Sequence, residues 1–249
     1  MGEAKVGIQL IIYRERTQKD LAGVLRECAT AGYVGIEAGN LFQMHDPQQV
    51  KEALAETGLK VAGMHTNYNG VSTEAQLAEH FAYLQAVNSS YLICSGVAPG
   101  KGIGRYETAA KTFNRVGARC RDEGLVFCYH NHAWEFESFN GVKGIHRLAE
   151  LTDPELVKLC VDVYWVHVGG EDPAAFIRRY ANRGGYYHFK DGAPGSFTEL
   201  GRGEVNLTAA KDAALEAGAV WIVYEQDRTD KVVRDSIVES REYLRTLGL

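Results

Sequence analysis

Residues 127–137 read FCYHNHAWEFE. His130 and His132 stand two apart with Asn131 between them, and Glu135 follows three residues later. Imidazole moves protons near neutral pH, and imidazole and carboxylate together bind hard or borderline cations. The apolar run LVFCY leads straight into this cluster. The same arrangement recurs along the chain. Glu37 closes YVGIE, His65 closes LKVAGMH, Asp162 closes VKLCVD and Glu225 closes VWIVYE. His188 and Lys190 both fall in GYYHFK. Side chains two apart on a strand share a face, so His130 pairs with His132 and His188 with Lys190.

The elements that would position these groups form a repeat. Eight short apolar runs cover residues 6–12, 33–37, 59–65, 90–96, 125–132, 157–162, 185–190 and 220–225. Most are near-continuous and β-branched or aromatic, as strands buried on both faces are. Amphipathic segments separate them. DLAGVLRECATAG and YETAAKTFNRVGARCRDEG end in glycine, which suits a helix C-terminus. DPAAFIRRYANRGG opens with an Asp cap and a Pro in the first turn. This alternation predicts a parallel sheet with helical crossovers. Eight such units in 249 residues predict a closed (β/α)8 TIM barrel, one domain over residues 1–249. A doubly wound open sheet would carry a glycine-rich turn after its first strand, and IIYRERTQ has no glycine.

A barrel of this kind builds its active site at the C-terminal ends of its strands. The polar residues gather there. One strand-end His is more often a hydrogen-bonded structural residue than a ligand, and one strand-end Asp can merely cap a helix. Four adjacent strands ending this way point instead to a shared site. Asp162, His188 and Glu225, with a fourth group from the fifth strand, would form a mixed N/O site for Mn²⁺, Co²⁺, Zn²⁺ or Mg²⁺. Other features carry less. His45, His80 and His146 lie in helical or loop segments and are expected to be solvated. GKGIGR lacks the strand and lysine–hydroxyl context of a phosphate loop. The glycines of SFTELGRGEVN would shape a loop over the mouth.

The net charge is −5, from 27 basic and 32 acidic residues, with no basic stripe, so no nucleic-acid partner is expected. No apolar run reaches the roughly 20 residues of a membrane span. The start, MGEAKVGIQL, does not read as a signal peptide. The five cysteines are widely spaced without a C-x-x-C pair, and Cys94, Cys128 and Cys160 read as small core hydrophobes. A cytoplasmic setting is expected. A homo-oligomer is left open.

At these residues the chain resembles the xylose isomerase-like barrel superfamily of sugar phosphate isomerases/epimerases. The likeness spreads over the whole chain and rests on YHNHAWEF, VDVYWVHVGGEDP, YYHFKDG, LGRGEVNL and VYEQD. Relatives include ketose 3-epimerases, hydroxypyruvate isomerase, inosose dehydratase and enzymes acting on 3-keto-glycosides. The resemblance implies a divalent metal held by Glu, Asp, His and Glu, matched here by Asp162, His188 and Glu225. The first Glu would fall on His130, which leaves Glu135 as the nearest carboxylate and the expected fourth ligand. Trp165 stands where the epimerases often place a substrate-binding His, and Glu37 and His65 would line the same mouth. The implied activity is isomerisation or epimerisation of a keto- or hydroxy-sugar. Glu225, or His130 or His132, would take the proton alpha to a carbonyl, with Lys190 assisting. Lacking the strand-five Glu, two-base epimerisation is weakened, and dehydration or β-elimination of an inosose or 3-keto-glycoside is the alternative. An endonuclease-IV-like hydrolase would need more histidines and a basic face, and a non-catalytic binding subunit would not need the Asp–His–Glu set.

Overall fold

The computed structural model describes residues 4–249. Eight strands close into an all-parallel barrel: β1 Lys5–Gln9, β2 Gly35–Ala38, β3 Lys60–Asn67, β4 Tyr91–Ser95, β5 Val126–His130, β6 Val157–Asp162, β7 Tyr186–Phe189 and β8 Trp221–Tyr224. Neighbours in sequence are neighbours in the sheet, and β1 closes the ring against β8. The expected fold is therefore the observed one. The first run is shorter than its apolar sequence suggests, because Leu10–Tyr13 turns into a 3-10 helix capped by the Gln9 side chain.

Local chemistry sets the crossovers. The helix Leu21–Ala31 opens on Asp20, whose carboxylate accepts from Gly23 N, and stops at Gly32 in the left-handed conformation at φ +94°. Asp172 caps Pro173–Arg179, with Pro in the first turn as its sequence indicates. A short hairpin, Ser138–Phe139 with Val142–Lys143, forms a second, two-stranded sheet beside the barrel.

Two apolar layers carry the fold. The larger lies between strands and helices and includes Phe113, packed on Phe127 and Tyr129 at 5.3 Å between ring centroids. The smaller fills the barrel itself with Ala62, Ile93, Cys128, Cys160, Tyr186, Trp221 and Val223. That plug matters for the site. Two residues beyond Cys128, Cys160, Tyr186 and Val223 along each strand come His130, Asp162, His188 and Glu225. Strand alternation therefore sets a ring of polar groups directly on an apolar floor.

All five cysteines are free and buried. Two histidines depart from expectation. His80 is buried on the inner face of its helix, beside Thr66 Oγ1, and His146 bonds to Tyr180 Oη at 2.7 Å and Glu171 at 2.9 Å. Their helical faces turn towards neighbours, which their polar character alone did not indicate. No helix among the described residues is long and apolar enough to cross a membrane.

Candidate active site

The C-terminal mouth brings four buried side chains together. His130, Asp162, His188 and Glu225 each offer one ligand atom, all within 4.8 Å of one another. They come from β5, β6, β7 and the residue after β8. The strand-five member of this group is His130, and Glu135, the expected fourth ligand, is not among the four. Glu135 sits in a short 3-10 turn, Ala133–Phe136, with its carboxylate facing away. One oxygen accepts from Tyr129 Oη at 2.6 Å and the other from His132 N at 2.7 Å. Burial pushes that carboxyl up to about 7 despite these two bonds. Glu135 thus holds the turn that follows β5, and the turn carries His132 and Trp134.

The four-residue group fits a divalent cation. Both nitrogens of His130, Asp162 Oδ2 and His188 Nδ1 are buried without a hydrogen-bond partner. Such orphans are rare, and several around one point call for a ligand. His130 Nε2 lies 3.5 Å from Asp162 Oδ2. His188 Nδ1 lies 2.7 Å from Glu225 Oε2 without the alignment of a hydrogen bond. Burial, with the nearby charge of Glu225, lifts the Asp162 carboxyl to about 6. Burial opposes ionisation of Glu225 too, but Lys190 and His188 outweigh it and hold that carboxyl well below the usual range. Burial, reinforced by His188, keeps His130 neutral, the state in which imidazole binds metal.

Glu37 stands behind this group. It is fully buried. Oε2 accepts from His188 Nε2 at 2.8 Å and from Tyr186 Oη at 2.7 Å, and Oε1 faces His65 Nδ1 at 2.9 Å. Burial would raise its carboxyl, yet the two histidines hold it down at about 2. Every acceptor is engaged, so Glu37 orients His188 where a substrate contact was expected. With Nε2 engaged by Glu37, Nδ1 is the ring nitrogen left to face Glu225 and the shared centre. His65 is also fixed, by Ser95 Oγ at 3.1 Å, and its ring lies 5.1 Å from that of His130.

Lys190 is wholly buried, and its ammonium contacts Glu225 Oε1 at 3.0 Å and Asp227. Burial would lower it, but Glu225, Asp162 and Asp227 keep it charged. Trp165 lies over it at 4.7 Å and Phe197 at 4.6 Å. His132 stacks against Trp134 at 4.0 Å and 5.5 Å from Trp165. Burial and the adjacent His130 push its imidazole down to about 3, so it is neutral at physiological pH. Asn131 points the other way and pairs with the backbone of Asp162. The loop after β7 is knotted by Asp191, whose carboxylate accepts from the backbone of Gly192, Gly201, Gly203 and Val205.

Sequence reading missed Tyr186, Ser95, Asp227, Trp134 and Phe197. Only Asp227 left a signal, since it stands two residues past Glu225 and so on the same side.

A parallel eight-stranded barrel with a mixed imidazole–carboxylate group at its C-terminal mouth is the architecture of a metal-competent barrel enzyme. The sequence model of the xylose isomerase-like TIM barrel matches residues 25–247, and the chain belongs to that family. An inosose dehydratase of Lacticaseibacillus casei is 26% identical over 242 residues, covering 81% of this chain and 80% of its own. A sugar phosphate isomerase/epimerase from Parabacteroides distasonis superposes with a TM-score of 0.83 at 20% identity, over 98% of this chain and 94% of that one. The IolI protein, crystallised with a zinc atom, superposes with a TM-score of 0.77 at 13% identity, over 98% and 97%.

Proposed function

We propose that this protein is a metal-dependent carbohydrate enzyme that takes a proton alpha to a carbonyl and then expels an oxygen leaving group from the β carbon. The observation that carries this reading is the strand-five position. Epimerisation by two bases needs a carboxylate on each face of the substrate. Here Glu225 is the carboxylate from the end of β8 and Asp162 the neighbouring one from β6, while strand five, across the centre from Glu225, supplies neutral His130 with Glu135 turned away to Tyr129. One base with an adjacent acid suffices for elimination. The inosose dehydratase relative supports the same outcome.

A divalent ion held by His130, Asp162, His188 and Glu225 would polarise the substrate carbonyl. Glu225 accepts the α-proton. Lys190 keeps a positive charge 3.0 Å from Glu225, where it balances the developing oxyanion and can give a proton to the departing oxygen. His132 and Trp165 border the substrate. Glu37 holds His188 in its working tautomer. The apolar plug below and the aromatic side chains above exclude water, which strengthens these interactions.

A panel of ketoses, inososes and 3-keto-glycosides, incubated with Mn²⁺-, Co²⁺- or Zn²⁺-loaded protein in D₂O, tests the reading. Elimination gives deuterium exchange at the α carbon together with an unsaturated ketone, seen by NMR and ultraviolet absorbance. An epimer with no unsaturated product would establish the isomerase/epimerase outcome instead. Absence of exchange on every substrate would remove the proton-abstraction mechanism.

A further inference from the structure

The outer flank of the barrel carries a second recess, and none of its lining residues belongs to the group at the mouth. It opens between the helix Gly144–Leu151, which follows β5 and the hairpin, and the helix Pro173–Arg179 with the turn Ala181–Arg183, which precede β7. Its floor lies towards the opposite end of the strands, since Arg183 bonds to the carbonyl of Val157, the first residue of β6. The recess measures about 430 Å³, room for a small molecule. His146, Arg147, Glu150, Arg179, Tyr180 and Arg183 line it.

The acids around this recess are already engaged. Arg147 holds Glu107 at 2.9 Å and Glu150 at 2.8 Å. Glu171 takes Lys143 at 2.7 Å and His146 Nε2 at 2.9 Å, and His146 Nδ1 is bonded to Tyr180 Oη at 2.7 Å. Two guanidiniums are left over. Arg183 is buried, and its bonded partners are all neutral: Thr152 Oγ1 and the carbonyls of Ala149, Thr152 and Val157. Asp153 acts on it through charge alone, its own carboxylate accepting from Glu155 N at 2.8 Å. Arg179 is exposed and, among the described residues, meets the ring of Tyr180 at 5.4 Å and His146 Nε2 at 3.5 Å but no carboxylate. Its neighbour Arg178 shows the contrast, with Glu216 at 2.8 Å. A buried guanidinium without a counter-charge is costly, and the carbonyls ending the helix Gly144–Leu151 offset only part of that cost. A planar guanidinium with uncommitted donors fits the two oxygens of an oxyanion.

We propose that this recess binds a phosphate-type oxyanion, either free phosphate or a small phosphomonoester. Arg179 supplies the donors that clasp it. Arg183 has given its terminal N–H groups to the protein and contributes charge from the floor, where low polarity strengthens the attraction. The Tyr180 ring beside Arg179 offers a face to an organic group carried by the phosphate. The site stands apart from the mouth and does not depend on the elimination reading.

The test is a titration of nitrogen-15-labelled, Zn²⁺-loaded full-length protein with inorganic phosphate and with phenyl phosphate, in chloride buffer of constant ionic strength. Amide shifts of residues 143–150 and 176–184 report the recess, and those of residues 130–135 and 225–228 report the mouth, where a metal also attracts phosphate. Saturable shifts in the recess are expected with both probes. Equal or tighter binding of inorganic phosphate assigns the recess to the free anion, whereas tighter binding of phenyl phosphate assigns it to a phosphomonoester lying on Tyr180. Arg179→Gln should weaken binding in the recess about tenfold or more, the share of one charge-assisted hydrogen bond. Arg179→Lys should retain part of the affinity, and Arg178→Gln should retain all of it. Arg179 is exposed, so the fold should survive, and the amide spectrum of each free variant checks this. Shifts confined to the mouth, or an affinity unchanged by Arg179→Gln, overturn the site. An equal loss in Arg178→Gln would show diffuse attraction by surface charge and overturns it as well.

Discussion

Glu37→Gln isolates a single charge at the heart of the site. The side chain is fully buried and accepts from His188 Nε2 at 2.8 Å and Tyr186 Oη at 2.7 Å, with His65 Nδ1 at 2.9 Å. A glutamine of the same shape can keep all three contacts. Its carbonyl takes the His188 and Tyr186 protons, and its amide donates to His65, whose other nitrogen then donates to Ser95. What disappears is the negative charge that strengthens each bond. A hydrogen bond to a charged group contributes about 1.5–3 kcal/mol and a neutral one about 0.5–1.5. The loss at His188 is therefore about 1–1.5 kcal/mol, with a smaller share through His65. Since Glu37 raises the basicity of His188 towards the metal, affinity should fall about 10–100-fold, the range found when an outer partner of a ligating His is removed. Competition of Zn²⁺ or Co²⁺ between the protein and a chromophoric chelator measures this directly, and the melting curve of the metal-free variant confirms folding. A folded Glu37→Gln protein that binds metal as tightly as wild type would refute the role assigned to Glu37. Glu37→Leu is the contrasting change, since it strands buried Tyr186 and His188 and half-buried His65, and it should destabilise the fold by about 3–5 kcal/mol.

Other outcomes follow from the same geometry. His130→Gln should weaken metal binding, whereas Glu135→Gln should leave it near wild type and loosen the 133–136 turn instead; isothermal titration of both variants distinguishes them, and the reverse order would restore Glu135 as the ligand. Chelation should abolish turnover and Mn²⁺ or Co²⁺ should restore it, so full activity in metal-free protein would eliminate the carbonyl-polarising role. Arg183 is buried and donates to Thr152 Oγ1 and to the carbonyls of Ala149, Thr152 and Val157; Arg183→Met should cost about 3–5 kcal/mol in denaturant unfolding, through orphaned acceptors. Glu199 is held down at about 2: burial opposes ionisation, but Ser236 and Lys231 outweigh it. Its folded value lies below the unfolded value near 4.5, so its contribution is complete above pH 4.5 and is lost as pH falls towards 2. With Lys231 solvent-exposed, the contribution should be on the order of 1–2 kcal/mol, and Glu199→Gln should flatten the melting profile across that window.

The barrel was legible because parallel strands buried on both faces read as continuous apolar runs, and each run here is followed by a helix with its own caps and stops. Strand alternation also made the inward set readable. Asp162, His188 and Glu225 stand at strand ends, and each sits two residues beyond an apolar residue of the barrel plug. The neutral fate of Asn131 followed from the same period of two. What the one-dimensional pattern could not decide lay wherever the chain leaves the strand. Glu135 is as close in sequence to the mouth as a ligand should be, yet the 3-10 turn after β5 rotates its carboxylate onto Tyr129, and His130 takes the place in the group. Glu37 sits at a strand end like a substrate contact, but closure of the barrel brings Tyr186, from the opposite side of the sheet, and His188 onto its oxygens. The aromatic cover of Trp134, Trp165 and Phe197 is assembled from three connections whose lengths carry no period at all. Periodicity assigns a side chain to a face. Only closure of the ring and the packing of its loops decide which groups from distant strands meet, and which of their polar atoms remain free for a ligand.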